Sequence, residues 1–250
     1  MKSIKQKLLI EENRQSTHKT WLMRLSGFNV ENSVAGQFVN IEIPGKYLRR
    51  PISVHQHFKN EKELVLLYDV VGDGTRLLSN MQPGEILDVL VGLGNGFSIP
   101  EEIENPILLG GGIGSAPLFQ LAVDLVCEGK KPVAIFGFNT KDDFIPELKG
   151  LQNLGITTYI ATVDGSLGTR GFVTDVIVEN NLKYDYFYAC GPIPMLKSVS
   201  NLPAKGQISL ESRMGCGFGV CMCCSIETKN GAKRICKEGP VFLKDEIIWK

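Results

Sequence analysis

Pro106-Ile-Leu-Leu-Gly-Gly-Gly-Ile-Gly-Ser-Ala-Pro117 is the stretch on which the architecture turns. Its apolar start reads as a short buried strand, and Gly110–Gly114 as the turn that ends it. Ser115-Ala-Pro117 then opens a helix, with Ser115 the expected N-cap and proline in the first turn. Leu118, Phe119, Leu121, Ala122, Leu125 and Val126 follow the helical period, and Gly129 ends the run. Downstream, strands at Val133–Gly137, Thr157–Ala161 and Tyr186–Cys190 alternate with helices near Pro146–Asn153, Thr174–Asn180 and Pro194–Ser200. Such alternation implies a parallel, doubly wound α/β sheet.

Toward the N-terminus the texture is all-β. Runs at Thr20–Leu25, Gln37–Ile43, Ile52–His57, Glu63–Val71 and Ile86–Leu90 are separated by turn signals such as Pro44-Gly45 and Pro83-Gly84. Strands at that spacing suggest a small barrel, interrupted by one helix at Thr75–Asn80. Beyond Pro203, glycine and cysteine dominate and no segment is periodic enough to build a core. This tail is expected to be held by something other than hydrophobic packing. The reading divides the chain at 1–100, 101–203 and 204–250.

Composition narrows the function. The 250 residues carry 27 Lys and Arg against 27 Asp and Glu, so no basic footprint exists for a phosphate backbone, and nucleic acid is not expected as a partner. A 43% hydrophobic content is ample for a core. Met1–Gln15 lacks a signal-peptide core, and the longest apolar stretch, Pro106–Leu125, is broken by glycine and polar positions. No membrane association is expected, and the chain reads as cytoplasmic, where thiols stay reduced.

The seven cysteines then need a reason other than disulfides. Cys216-x4-Cys221-x2-Cys224, followed by Cys236, has the C-x4-C-x2-C…C spacing of a [2Fe-2S] cluster. Three thiolates on one loop and a fourth from a hairpin can ligate two irons, two sulfurs to each. Gly215, Gly217 and Gly219 alternate through the loop, where the lack of Cβ permits positive φ and close approach of N–H groups to sulfur. Structural zinc is the alternative, although zinc sites usually present two short pairs and need no alternating glycine. Spacing favours Cys224 as the ligand, with Cys223 a neighbour pointing away.

Two features of the barrel half point to a phosphate-bearing ligand. Arg49-Arg50-Pro51-Ile52-Ser53 enters a strand, where arginine can pair with a pyrophosphate and serine can reach a planar ring. Leu67-Tyr68-Asp69 leads into Gly72-Asp73-Gly74-Thr75, where glycines precede a short helix whose free N–H groups suit an anion. In the second half, Gly110–Gly114 fits a dinucleotide loop, and Cys190-Gly191-Pro192-x-Pro194 closes a second strand at the same sheet edge.

The Arg-Pro-x-Ser element, the Gly-x-Gly-Thr turn, Gly-Gly-Gly-Ile-Gly-x-Ala-Pro and Cys-Gly-Pro together resemble the ferredoxin reductase superfamily. The tail narrows this further: Glu211-Ser-Arg213-Met-Gly-Cys216 through Cys224, closing with Arg234-Ile-Cys236 to Phe242, resembles the electron-transfer subunits of NAD-dependent (type B) dihydroorotate dehydrogenases. The likeness spans essentially the whole chain. It implies an all-β FAD-binding barrel, a doubly wound α/β nucleotide-binding domain and a small C-terminal [2Fe-2S] cysteine-loop domain. FAD contacts are implied at Arg50, Pro51, Ile52, Ser53, Leu67, Tyr68, Asp69, Gly74 and Thr75. NAD contacts are implied at Gly111, Gly112, Gly114, Cys190, Gly191 and Pro192, and cluster ligation at Cys216, Cys221, Cys224 and Cys236. Many superfamily members stack a tyrosine on the flavin where this chain has Ile52, which leaves open what covers that ring face.

No catalytic side chain is expected, because the chemistry belongs to the cofactors. Flavin suits this role because NAD takes a hydride, the cluster takes one electron, and the isoalloxazine handles both. The resemblance further implies an FMN-containing catalytic partner that oxidises dihydroorotate to orotate in pyrimidine (UMP) biosynthesis, in a heterotetramer with two copies of each chain. Met214, Phe218, Val220 and Met222 are candidates for that interface or for packing around the cluster. Asn139–Asp143 carries two acids and no arginine, which favours NAD over NADP. Cys190 as a nucleophile lacks a nearby histidine. His55 and His57 share a strand face and read as surface or packing rather than metal ligands, Cys127 as a small hydrophobe in a helix, and Trp21 and Trp249 as core or interface. Two rival functions remain: a related NAD(P)H-dependent flavin and iron–sulfur subunit serving another partner, and a zinc-stabilised, nucleotide-binding redox sensor.

Overall fold

The computed structural model describes residues 4–29 and 33–249. Six antiparallel strands close a barrel: β1 (Ile4–Gln15), β2 (Thr20–Ser26), β3 (Phe38–Ile41), β4 (Arg50–Phe58), β5 (Glu63–Asp69) and β6 (Ile86–Leu93), in the order β1-β2-β5-β4-β3-β6. β1 escapes the sequence reading because only Leu8 and Ile10 point inward between charged neighbours. Period-2 alternation packs Met23, Leu25, Val39, Ile41, Leu64 and Leu66 inside. Leu22, Val65 and Leu67 face outward, into a second core shared with the next unit. Between β5 and β6 lies the helix α1 (Asp73–Ser79).

The sheet of the second unit is built from β7 (Pro106–Gly111), β8 (Val133–Phe138), β9 (Thr157–Thr162), β10 (Thr169–Arg170), β11 (Tyr186–Cys190) and β12 (Lys205–Ser209). These run parallel in the order β10-β9-β8-β7-β11-β12. Helices α2 (Ala116–Cys127) and α3 (Gly150–Asn153) cover the face toward the barrel; α4 (Val173–Glu179) and α5 (Ile193–Val199) cover the other. Strand order reverses between β7 and β11, so their carboxyl ends open the crevice where such sheets bind ligands.

Three expectations change. Ser115 lies in a 3-10 turn, Gly112–Ser115, and makes no side-chain cap bond; the tight glycine turn winds the backbone before the helix begins. Cys127 is exposed, because the helix buries the other face. The tail is not held apart from hydrophobic packing. β12 continues the parallel sheet, a hairpin follows as β13 (Ser225–Thr228) and β14 (Gly231–Arg234), and β15 (Val241–Leu243) returns antiparallel to β12. Ile208, Leu210, Ile235, Phe242, Cys224 and Cys236 thereby share one core with Leu109 and Phe187. Burying such side chains contributes roughly 1.5–3 kcal/mol each, so the sheet itself anchors the cysteine loop. Lys205-Gly-Gln-Ile-Ser209 offers a single apolar residue and β15 only three residues, so neither strand announces itself in the sequence.

Candidate functional site

Arg50, Pro51, Ile52, Ser53, Leu67, Tyr68, Asp69 and Thr75 line one cleft of about 330 Å³ at the barrel's edge. β4 presents the first four as it enters the sheet, and β5 ends beside it. The Tyr68 ring belongs to the barrel core and its hydroxyl donates to Asn13 Oδ1 at 2.9 Å, so burial raises its phenol above the ordinary value. Asp69 accepts from the Thr20 hydroxyl at 2.6 Å. Gly74 does not line the cleft; the Arg50 guanidinium lies against it where any Cβ would collide. Thr75 Oγ1 accepts from the Val71 N–H at 3.0 Å, fixing the turn that α1 follows.

In the sequence the other wall carries no expected ligand contact. Ile113 comes from the turn after β7, Ser209 to Ser212 and Met214 from the segment after β12, Pro240 from before β15, and Phe38 from β3. Ile113, Glu211, Ser212, Met214 and Pro240 stand in quoted motifs; Phe38 has none. Barrel, nucleotide sheet and cysteine tail thus meet on one cleft. Its single lining arginine and apolar floor fit a dinucleotide.

A second pocket, about 410 Å³, opens at the switch point. Gly111, Gly112 and Pro192 line it, with Phe138, Phe172 and Met195. Gly114, Cys190 and Gly191 lie beneath it: a Cβ on Gly114 would meet the Gly191 Cα at 2.6 Å. These glycines let the two loops touch. Burial pushes the Cys190 thiol far up, which leaves it protonated and no nucleophile. Lys19 and Asp143 also line the pocket, paired at 2.6 Å across the two units.

In the tail, the Cys216 Sγ accepts from the N–H groups of Val220 and Cys221 at 3.3 and 3.5 Å, and the Cys216 N–H donates to Cys221 Sγ at 3.4 Å. Burial alone would push the Cys216 thiol up, but the N–H groups of Cys221, Phe218 and Val220 bring it down to about 6. The Cys236 N–H donates to Cys224 Sγ at 3.4 Å. The four thiols therefore fall two and two, Cys216 with Cys221 and Cys224 with Cys236. Among the described residues, no three His, Cys, Asp or Glu side chains converge on a point that one ion could occupy. Cys223 turns its thiol to the Arg213 carbonyl at 3.7 Å.

Gly217 and Gly219 adopt φ of 76° and 90°, whereas Gly215 does not have positive φ. Its reason is space, since a Cβ would stand 3.1 Å from Cys221 Sγ. Met222 holds φ of 61° without being glycine. Arg234 braces the loop by donating to the Gly219 carbonyl and to Glu238. Paired thiols whose sulfurs accept backbone N–H groups fit a two-iron cluster.

Closed barrel, doubly wound sheet and shared cleft define an oxidoreductase of the ferredoxin reductase type. The solved structure of an NADH-dependent reduced ferredoxin-NADP oxidoreductase superposes with a TM-score of 0.87 at 28% identity, covering 97% of this chain and 90% of that one. The ferredoxin reductase in carbazole 1,9a-dioxygenase shares the fold, with a TM-score of 0.68 at 20% identity over 79% of this chain and 64% of that one.

The iron-sulfur cluster binding domain of dihydroorotate dehydrogenase B matches residues 211–248, and the oxidoreductase NAD-binding domain matches residues 108–201. The electron transfer subunit of dihydroorotate dehydrogenase B (NAD(+)) from Fusobacterium nucleatum subsp. nucleatum is 42% identical over 95% of this chain and 96% of its own. Those of Geobacillus sp. (strain WCH70) and Bacillus pumilus (strain SAFR-032) are 44% and 41% identical, over 90% and 96% of this chain and 91% and 96% of their own. The chain belongs to this family of electron transfer subunits.

Proposed function

We propose that this chain is the electron-transfer subunit of an NAD-dependent dihydroorotate dehydrogenase of pyrimidine biosynthesis, working in the cytoplasm beside an FMN-containing catalytic subunit. Bound in the barrel cleft, FAD would exchange hydride with NAD and single electrons with a [2Fe-2S] cluster that connects it to the partner's FMN. The observation that carries the reading is the cleft lined jointly by barrel, nucleotide sheet and cysteine tail. Membership of the family supports the partner, and the absence among the described residues of any helix long and apolar enough to cross a membrane is compatible with the compartment.

In this reading Arg50 pairs with the FAD pyrophosphate beside Gly74 and Thr75. Pro51, Ile52 and Leu67 supply the apolar floor, with Tyr68 and Asp69 at its end. Ser53 offers a hydroxyl to the ring's polar edge. Gly111, Gly112 and Pro192 receive NAD over the floor made by Gly114, Cys190 and Gly191. Cys216, Cys221, Cys224 and Cys236 hold the cluster. The flavin unit takes 1–100, the nucleotide unit 101–203 and the cluster unit 204–250, with Lys205–Ser209 joined to the nucleotide sheet. Two copies of each subunit form the assembly. Co-expression with the FMN subunit tests it: dihydroorotate-dependent NADH formation is expected. A pair loaded with FMN, FAD and cluster that ignores dihydroorotate would refute the pathway.

A further inference from the structure

The barrel touches the cysteine loop through one buried polar side chain. Asn40 is 1% exposed on β3, and its Nδ2 donates to the Cys216 carbonyl at 3.2 Å. Its Oδ1 has no hydrogen-bond partner among the described residues. Burying an amide with half its capacity unmet is unfavourable, and a leucine of similar size would avoid the penalty. Packing alone gives no reason for asparagine here.

Strand alternation explains what the position does. Val39 and Ile41 point into the barrel, so Phe38 and Asn40 point out. Phe38 lines the flavin cleft and packs in the core that buries Cys224 and Cys236. Asn40 sits one pleat further along, paired with Pro51, itself a cleft residue. Arg49 holds this strand from outside, donating to the Asn40 carbonyl at 3.4 Å and to Asp88 Oδ1 at 2.7 Å. At the far end of the contact, Gly217 has φ of 76°, and a Cβ there would run into the Asn40 amide.

The geometry points to Asn40 as a positioning residue that fixes the first cluster ligand against the flavin strand and thereby sets the cluster's reduction potential. Pinning the Cys216 carbonyl to Asn40 fixes the residue whose own N–H donates to Cys221 Sγ at 3.4 Å and whose Sγ accepts from the Val220 and Cys221 N–H groups at 3.3 and 3.5 Å. N–H groups directed at sulfur raise a cluster's potential, and their loss lowers it. The inference rests on the proposed reading of Cys216 as a ligand.

The test uses the holo-complex with Asn40→Leu and Asn40→Asp, and Asn95→Ala as control. Asn95 also ties the barrel to the tail, donating to the Glu238 and Val241 carbonyls at 3.1 and 2.7 Å, but does not touch the cysteine loop. Both Asn40 variants are expected to keep FAD, iron and sulfide while the cluster's midpoint potential falls, further for the carboxylate. Their cluster EPR signal changes, NADH reduces the cluster more slowly, and the flavin potential stays. Asn95→Ala leaves the cluster potential and EPR signal as they were. Unchanged potential and EPR in both Asn40 variants would overturn the inference, as would an equal shift in Asn95→Ala. If Asn40→Leu does not fold, Asn40→Ser, which adds no bulk, is read by the same criteria. A wild-type chain purified anaerobically without iron and sulfide would instead refute the ligand reading itself.

Discussion

Cys216 and Cys223 carry the same thiol in different surroundings. N–H groups from three residues converge on Cys216 and favour its thiolate, whereas Cys223 is exposed and faces a single carbonyl. Thiolate is the form that binds iron. The sulfurs of Cys216 and Cys224 each accept a backbone N–H, so Cys216→Ser and Cys224→Ser are expected to lose the cluster from a protein that otherwise holds about two iron per chain, while Cys223→Ser retains it. Iron and acid-labile sulfide assays on anaerobic preparations check this; iron lost from Cys223→Ser would reverse the choice of ligand. Arg50 is the one cation among the described residues that line the flavin cleft. Arg50→Ala is expected to weaken FAD by about 2 kcal/mol, roughly 30-fold in Kd, measured by flavin release on dilution.

A buried histidine ring is part of the contact of β4 with α2, which the His57 N–H also joins by donating to Gln120 Oε1 at 3.1 Å. The sequence reads His55 as surface or packing, and the ring is buried, tilted against Phe119 with centroids 4.7 Å apart and Nδ1 donating to the Ala116 carbonyl at 2.8 Å. Burial lowers its ordinary value to about 4, against the raising effect of that carbonyl. Between pH 6.5 and about 4 the unfolded chain then binds a proton that the folded chain refuses. Stability is full above the unfolded value and falls as pH drops through this window, by roughly 3 kcal/mol in all. His55→Phe is expected to flatten that slope, read as urea midpoints across the same range. Equal slopes in the two proteins would remove His55 as the cause.

At the scale of the whole molecule, the tail faces two ways. Met214 is packed against the second-unit core and lines the flavin cleft, so packing is its role among the four apolar candidates. Phe218, Val220 and Met222 are exposed, Val220 at 72%. An apolar loop left open beside a redox centre suits docking of the partner subunit. Val220→Asp is expected to weaken subunit association by about tenfold or more, with iron and FAD content unchanged, as measured by size-exclusion chromatography and titration of activity. An unaltered affinity would place the interface elsewhere.

The sequence by itself determined what depends on local chemistry. A glycine turn between strand and helix, thiols at x4 and x2 spacing, and an arginine before a strand each specify a function through neighbours in the chain. β1 was hidden by its charges, β12 by its polar, glycine-bearing sequence and β15 by its three-residue length. Only the tertiary structure decided that these strands bind the cysteine tail into the nucleotide sheet, that Phe38 and Met214 close the cleft, and that Asn40 reaches Cys216. Those contacts join residues far apart in the chain. Their energy comes from burial and pairing across units, which no local pattern encodes.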